Sequence, residues 1–492
     1  MAAPAEAAAR PAETGEVQFV RGIGPLAAVS LVVGSMIGSG IFIVSADISR
    51  QVDALGPAGL LIVWGLSGLL TIMGALAYAE LAAMMPNAGG QYVFLREGLS
   101  PSMGFLYGWT LFMVIQSGTI AAVAVAFGKF LGVLIPAISP DVFLSLGSLS
   151  MPGGQIQLGL SPQRIVALVM VAALTWVNVR GVRLGAAIQS GFTVAKVGAL
   201  AGLILLGLTI FRRPEVSAAN FGTFWGTGDW SLAVLPVIGA AMVGALFSSD
   251  AWNNVTFAAA EVRDPRKNLP LALAAGTGLV GVLYLMANLA YLNVLPFAGD
   301  ANGTDVLARG IQHATQDRVG TAAMEVMLGS AGATIMAIAI LISTFGCNNG
   351  LILAGARVYY AMARDRLFFR SAGQLHPELR TPVFALVAQA VWTMVLCVSG
   401  TYGELLNYVV FAALIFYLLT TLALFRLRAI RPDAPRPVKA FGYPVLPALY
   451  IVALLFVLAV LLIDPRQRLY SGLGLLIVLL GVPVYAIWRR TG

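Results

Sequence analysis

The chain has 492 residues, of which 59% are apolar and only 11% carry a charge. Soluble domains carry about 25% charged residues, so this composition excludes a mainly soluble protein and indicates a membrane protein. The net charge of +8 is spread over short segments between apolar runs. That distribution is typical of topology signals and argues against a nucleic-acid partner.

Residues 1–20 are rich in alanine, proline and glutamate and lack an apolar core, which predicts a disordered cytoplasmic tail rather than a cleavable signal. After this tail come runs of about 20 apolar residues, the length that crosses a bilayer. Twelve such spans are predicted, at 22–46, 57–85, 103–135, 163–179, 187–211, 232–260, 270–295, 327–363, 382–399, 402–428, 445–463 and 470–488.

A glycine-rich segment, Gly34–Gly40, interrupts the first span. Each glycine costs a helix about 1 kcal/mol relative to alanine, so the segment predicts a break. A helix broken at membrane depth must line a cavity or a binding site. The freed N–H groups of Gly38, Ser39 and Gly40 would begin the next half-helix, whose dipole favours a carboxylate. The alternative is a pattern of small residues that packs helices together.

Lys196 lies deep inside the fifth span, where its long side chain reaches an interface with difficulty, whereas Lys129 lies nearer the end of the third span. An ammonium group at this depth predicts either a fixed cation that ties helices together or a proton carrier.

The sixth span holds a second polar interruption, Phe247–Asn254. Carbonyls near Phe247 and Ser248, like those near Met36 and Ile37 in the first break, end a half-helix and suit an ammonium group. A carboxylate and an ammonium group attached to one carbon make an α-amino acid. Matched breaks in two halves of a chain are a sequence sign of a transporter's substrate site.

Asp250 is a carboxylate in mid-span, which is costly in lipid and therefore a functional candidate. It is predicted to bind the substrate amine, a cationic side chain or a proton, with a structural role in capping broken backbone as the alternative. Phe247, Ser249, Trp252 and Asn253 are predicted to form a gate and side-chain pocket around it. For Trp252, simple packing in the bundle is an equal alternative.

The two breaks lie five spans apart, and this odd separation would insert the second copy upside down. Residues 21–211 are therefore predicted as a first five-helix repeat and 212–444 as its inverted copy with connecting loops. Residues 445–492 supply the last two spans and a short tail. Twenty of the 30 lysines and arginines fall on one side and eight on the other, which predicts cytoplasmic termini.

Two histidines in predicted loops and two cysteines in apolar runs, Cys347 and Cys397, form no metal, disulfide or catalytic pattern. No cofactor, metal or enzymatic activity is therefore expected. A membrane channel or receptor is a remote alternative, but neither needs matched breaks at the midplane.

Several segments carry a family resemblance. Gly34–Phe42 is similar to the first-helix signature of the amino acid–polyamine–organocation (APC) superfamily. Ala245–Asn254, with Glu261, resembles the sixth helix of its L-type amino acid transporter (LAT-like) branch. Further matches are Tyr78–Leu81, Pro86–Tyr92, Phe105–Trp109, Val177–Gly181, Ala195–Val197, Asp264–Pro270, His376–Pro382 and Tyr443–Pro447.

The resemblance implies an all-α membrane protein with twelve transmembrane helices, a five-plus-five inverted repeat and broken helices 1 and 6. It implies a prokaryotic-type permease that carries L-amino acids without sodium, by exchange, with proton-coupled symport as the alternative. By matched position, Ser39 and Gly40 would hold the substrate carboxylate, and the carbonyls of Met36 and Phe247 would hold its amine. Phe247 would be the gate.

The resemblance also implies that Lys196, with Gly34 and the hydroxyl of Ser343 as partners, stands where sodium-coupled relatives bind an ion. Ser248–Ser249 departs from the Ala-Tyr type pair of the family and makes that wall smaller and more polar. Asp250 matches a subset that includes a carrier of cationic amino acids, so neutral and cationic substrates both stay open.

Human-type members of this branch pair with a glycoprotein through a cysteine between spans three and four. This chain has no cysteine there. We therefore expect no disulfide-linked glycoprotein subunit, and a monomer or homodimer in the plasma membrane, most simply a bacterial inner membrane. The expected partners are the amino acid and the lipid bilayer.

Overall fold

The computed structural model describes residues 21–151, 154–399 and 402–491, so the predicted tail 1–20 lies outside the described residues. The helices in chain order are α1 (Pro25–Met36), α2 (Val44–Gln51), α3 (Gly56–Met84), α4 (Gln91–Gly98), α5 (Pro101–Thr110), α6 (Gln116–Leu134), α7 (Pro162–Val179), α8 (Val182–Leu208), α9 (Pro214–Gly222), α10 (Val234–Ser248), α11 (Asn254–Phe257), α12 (Pro265–Val294), α13 (Val306–Arg309), α14 (Val319–Arg364), α15 (Val383–Ser399), α16 (Tyr402–Ile430), α17 (Val445–Ile463) and α18 (Arg468–Thr491).

Among the described residues, nine helical segments are long and apolar enough to cross a membrane, and α1, α10 and α15 are shorter apolar helices. Each of these twelve overlaps one predicted span, in order. One of the nine joins α5 to α6 through a π-helical turn at Leu111–Ile115. The all-helical membrane fold is confirmed, while the crossing of the bilayer by all twelve stays a prediction.

Both predicted breaks are present. Helix α1 ends at Met36, and the chain resumes helical structure with a 3₁₀ turn at Gly40–Phe42 before α2. Helix α10 ends at Ser248, and the next helix, α11, begins at Asn254. Ala251, between them, has a φ of 64°, a left-handed conformation that turns the chain sharply. Each broken span is therefore a pair of half-helices.

Helix packing is consistent with an inverted repeat, and the bounds of the two repeats stay a prediction. Helix α1, in the first span, packs on α8 and α12, in the fifth and seventh spans. Helix α10, in the sixth span, packs on α16 and α3, in the tenth and second. Raising span numbers 1 and 5 by five and lowering span number 7 by five turns the first set of contacts into the second, which is the pattern of an inverted repeat. The pairs α3 with α12, α6 with α14 and α7 with α15 join spans to their own equivalents.

The loop between α6 and α7 holds an unpredicted β-hairpin. Strands β1 (Leu144–Met151) and β2 (Gly154–Leu160) pair antiparallel, with a bulge between Ser145 and Gly147. Arg164, at the start of α7, donates hydrogen bonds to the carbonyls of Gly159 and Val398 and so ties the hairpin to α15.

Candidate functional site

A small cavity lies where the two breaks face each other. It is lined by Ser35, Met36, Gly38, Ser39, Gly40, Thr119, Val123, Phe247, Ser248, Asp250, Ala251 and Cys347. Its volume is about 10 Å³, enough for one water molecule and too little for an amino acid. The structure thus brings together the residues predicted for the carboxylate and most of those predicted for the amine, in a closed state of the cavity.

The close approach of the breaks depends on Gly40. A Cβ atom at Gly40 would lie 2.1 Å from Oγ of Ser248 and 3.0 Å from its Cα. A Cβ at Gly38 would lie 3.2 Å from Sγ of Cys347. These glycines therefore do more than loosen the helix, because Gly40 lets the first break press against the second and Gly38 lets it approach α14.

Lys196 supports the first break without lining the cavity. Its side chain is 1% exposed, and Nζ donates to the carbonyls of Gly34 at 2.8 Å, Ile37 at 2.7 Å and Ser343 at 2.9 Å. These bonds match the three donors of an ammonium group. Ser343 contacts the lysine through its carbonyl rather than through the expected hydroxyl, which instead donates to the carbonyls of Ile37 and Gly38.

The carbonyl of Ile37 points away from the predicted amine position. It accepts hydrogen bonds from Lys196 and from the hydroxyl of Ser343, and Ile37 does not line the cavity. The structure therefore leaves Met36 and Ser248, with Phe247, as the residues of the predicted amine site that face the cavity.

Tyr284 joins the two breaks and was not predicted. Its hydroxyl lies 3.0 Å from the carbonyl oxygen of Met36 and 3.0 Å from that of Ser248, the last residues of α1 and α10. Two further polar residues lie on the same face of α12. Asn288 accepts a hydrogen bond from the hydroxyl of Ser45, and Tyr291 donates one to the carbonyl of Ile41. Their spacing of four and three residues is the signal that marks one polar helix face.

Asp250 is buried in the wall shared by three cavities. It lines the central cavity, a second of about 20 Å³ with Ser249 and Trp252, and a third of about 10 Å³ with Asn253. The hydroxyl of Tyr417 donates a hydrogen bond to its carboxylate. Of the predicted pocket residues, only Phe247 and Asp250 reach the central cavity itself.

Trp252 and Asn253 are held by neighbours outside the central cavity. The Trp252 ring is 2% exposed and packs edge-on against Tyr78, with ring centroids 4.7 Å apart. The side-chain amide of Asn253 donates to Oε1 of Gln91 at 2.6 Å. Packing in the bundle, the alternative considered for Trp252, agrees with this position.

A large cavity lies at one end of the helix bundle. A cavity of about 570 Å³ occupies the end whose lining includes Arg50, Arg164 and Arg466, which the charge pattern assigns to the outside. Its walls reach Val44 of α2 and Gly244 of α10, close to the two breaks.

The opposite end of the bundle carries two buried carboxylates paired with arginines. Arg357 of α14 donates from Nε to Oε1 of Glu261 at 2.8 Å, and both side chains are at most 1% exposed. Glu80 of α3, fully buried, accepts hydrogen bonds from Arg428 and Arg436 and so ties α3 to the last turn of α16 and to the segment that follows it. Among the described residues, no three or more potential metal-ligating side chains lie together.

Comparison with known proteins gives a consistent result. Residues 23–483 match the family described as amino acid permease. The chain is 30% identical over 476 residues to the Homo sapiens large neutral amino acids transporter small subunit 2, covering 96% of this chain and 81% of that protein. It is 28% identical over 461 residues to the Mus musculus b(0,+)-type amino acid transporter 1, covering 92% and 85%.

Proposed function

The chain belongs to the amino acid permease family, and on that premise we propose that it exchanges L-amino acids across the plasma membrane without sodium. The observation that carries this proposal is the cavity between the two breaks, where Gly38–Gly40 face the carbonyl ends at Met36 and Ser248. Backbone donors on one side and acceptors on the other fit the carboxylate and ammonium that all α-amino acids share.

In this proposal Gly38, Ser39 and Gly40 bind the substrate carboxylate. The carbonyls of Met36 and Ser248, with that of Phe247, bind the ammonium group, and the Phe247 ring covers the bound substrate. Amino acids differ in their side chains, beyond these shared atoms. Asp250 lies at the junction of three cavities and would contact the substrate side chain there.

Sodium independence follows from Lys196. Its ammonium already supplies a positive charge and three hydrogen bonds to carbonyls around the first break. A dissolved cation would find these acceptors occupied and would be repelled by the charge. Gly34, Ile37 and Ser343 thus form the partners of a cation that stays with the protein.

The open and closed ends support transport by alternating access. The large cavity on the predicted outer side and the ion pairs on the predicted inner side describe an outward-open state above a closed central site. We propose cytoplasmic termini, twelve crossings and repeats at 21–211 and 212–444 that rock about this site, with 445–492 outside the repeat.

We further propose that the chain works without a disulfide-linked subunit in a bacterial inner membrane. The segment between α6 and α7 has no cysteine, and both cysteines of the chain are buried elsewhere. Proteoliposomes that contain this chain alone should therefore be active, and activity that appears only with a second chain would contradict this part of the proposal.

Proton-coupled symport is the second candidate, because Asp250 is a buried carboxylate in the wall of the central cavity. Counterflow separates the two functions. Proteoliposomes preloaded with labelled leucine should release it only when external amino acid is present, equally in sodium and in choline buffers. Release into amino-acid-free buffer that follows a pH gradient would instead establish symport, and no release under any condition would refute transport of this substrate.

A further inference from the structure

A single side chain, Tyr284 of α12, lies between the carbonyl ends of the two broken helices. Its hydroxyl oxygen is 3.0 Å from the Met36 oxygen and 3.0 Å from the Ser248 oxygen. Helix C-terminal carbonyls carry partial negative charge, so two such ends repel one another unless a donor lies between them. Tyr284 provides that donor in a position that is 2% exposed.

A phenol hydroxyl has one proton and therefore makes one full hydrogen bond at a time. Two carbonyls share this proton, and each carbonyl oxygen has two lone pairs. The N–H of Gly38 also donates a hydrogen bond to the carbonyl oxygen of Met36 and occupies one of its lone pairs. Acceptor capacity thus remains at the pair of oxygens, and both residues line the central cavity. An ammonium group that arrives there has three donors to offer.

That Tyr284 is uncharged matters for ammonium binding as much as its hydrogen bonds do. On the opposite side of the first break the donor is Lys196, a cation. A second cation beside Met36 and Ser248 would repel a substrate ammonium, whereas a hydroxyl fixes the carbonyls and preserves their negative potential. The Tyr284 ring packs edge-on against Trp64 of α3, with centroids 5.3 Å apart, so the hydroxyl is held in place.

We propose that Tyr284 is a positioning residue for the substrate ammonium: it holds the terminal carbonyls of α1 and α10 in the geometry that receives this group. The inference rests on the proposed function, because it assigns a role within the same central site.

The test compares Tyr284→Phe with Tyr291→Phe. Tyr291 lies on the same face of α12, and its hydroxyl bonds to the carbonyl of Ile41, beyond the break. Leucine exchange in proteoliposomes gives KM and maximal rate for each variant. We expect Tyr284→Phe to raise KM about three- to tenfold, the effect of one hydrogen bond, with a maximal rate within about twofold of wild type. Tyr291→Phe should leave KM within about twofold.

Thermal melting of the purified variants serves as the control for folding. An unchanged KM in Tyr284→Phe, an equal rise in both variants, or a loss confined to the maximal rate would overturn the inference. So would a Tyr284→Phe protein that fails to fold while Tyr291→Phe folds, because the hydroxyl would then be structural. If the wild-type chain exchanges no amino acid, the proposed function is refuted, and the inference that rests on it is refuted with it. Normal wild-type exchange with an unaffected Tyr284→Phe refutes this inference alone.

Discussion

At the scale of single residues, the geometry of the central cavity depends on glycines, which have no side chain, as much as on residues that do. Gly40 allows Ser248 to approach the first break, and Lys196 fixes that break from behind. Asp250 and Tyr417 form a hydrogen-bonded pair in the walls of the two cavities beside the central one. Gly40 and Lys196 thus fix the backbone geometry of the proposed substrate site.

Gly40→Ala is expected to abolish measurable exchange, with at least a tenfold loss, because the new Cβ would overlap Oγ of Ser248 at 2.1 Å. The matched control is Gly65→Ala in α3, where no atom lies within 4 Å of an added Cβ. Uptake of labelled leucine, normalised to protein in the membrane, measures both. Normal uptake by Gly40→Ala would show that the breaks need not touch.

Asp250→Asn should change selectivity between substrate classes. If the carboxylate contacts substrate side chains, uptake of labelled lysine should fall at least tenfold relative to leucine, as expected for losing one charge-assisted contact. The comparison is Tyr417→Phe, which keeps the carboxylate and removes its hydrogen-bond donor. An equal loss for lysine and leucine would instead give Asp250 a structural or general role in transport.

At the scale of helices, the ends of half-helices meet at the centre and full-length helices are joined at the predicted cytoplasmic end. The Glu261–Arg357 pair links the segment after α11 to α14, and it is buried. A buried ion pair contributes little net stability when intact, but removing one partner leaves an uncompensated charge.

Arg357→Met is therefore expected to destabilise the protein by about 3–5 kcal/mol, since Glu261 would remain buried without its counter-charge. Adding Glu261→Gln to this variant should recover most of the loss. Unfolding in detergent, followed by tryptophan fluorescence, gives both free energies. A double variant no more stable than Arg357→Met would show that the cost is lost packing rather than lost pairing.

Both breaks could be predicted because glycine and polar residues interrupt apolar runs, and lipid penalises unpaired backbone. The depth of Lys196 in its span likewise predicted a buried cation. Its partner atoms could not be predicted, because they depend on how α8, α1 and α14 pack. Tyr284 was missed since an aromatic residue in an apolar span also suits a core. The hairpin was missed although its strands alternate apolar with small or polar residues, because glycine and serine are also typical of loops.

At the scale of the whole molecule, a large cavity lies at one end and buried carboxylates paired with arginines lie at the other. The assignment of these ends to outside and inside follows from the distribution of lysine and arginine. Because both native cysteines are buried, introduced cysteines can report the orientation with little background.

Gln316→Cys, in the lining of the large cavity, should react with a membrane-impermeant maleimide on intact cells. Glu378→Cys, exposed between α14 and α15, should react only after the cells are opened. Each variant serves as the control for the other, because labelling of both in opened cells shows that both are expressed and that both cysteines are reactive. The reverse pattern of labelling would place the large cavity on the cytoplasmic side.

The ammonium of Lys196 has a thermodynamic consequence. A cation on a covalent tether is never released with the substrate, so no ion gradient can perform work through it. In an obligatory exchanger the concentration ratios of the exchanged amino acids, inside over outside, drift toward a common value for substrates of equal charge. A cell that contains this protein would convert a store of one amino acid into a supply of another, and the total number of molecules on each side would stay constant.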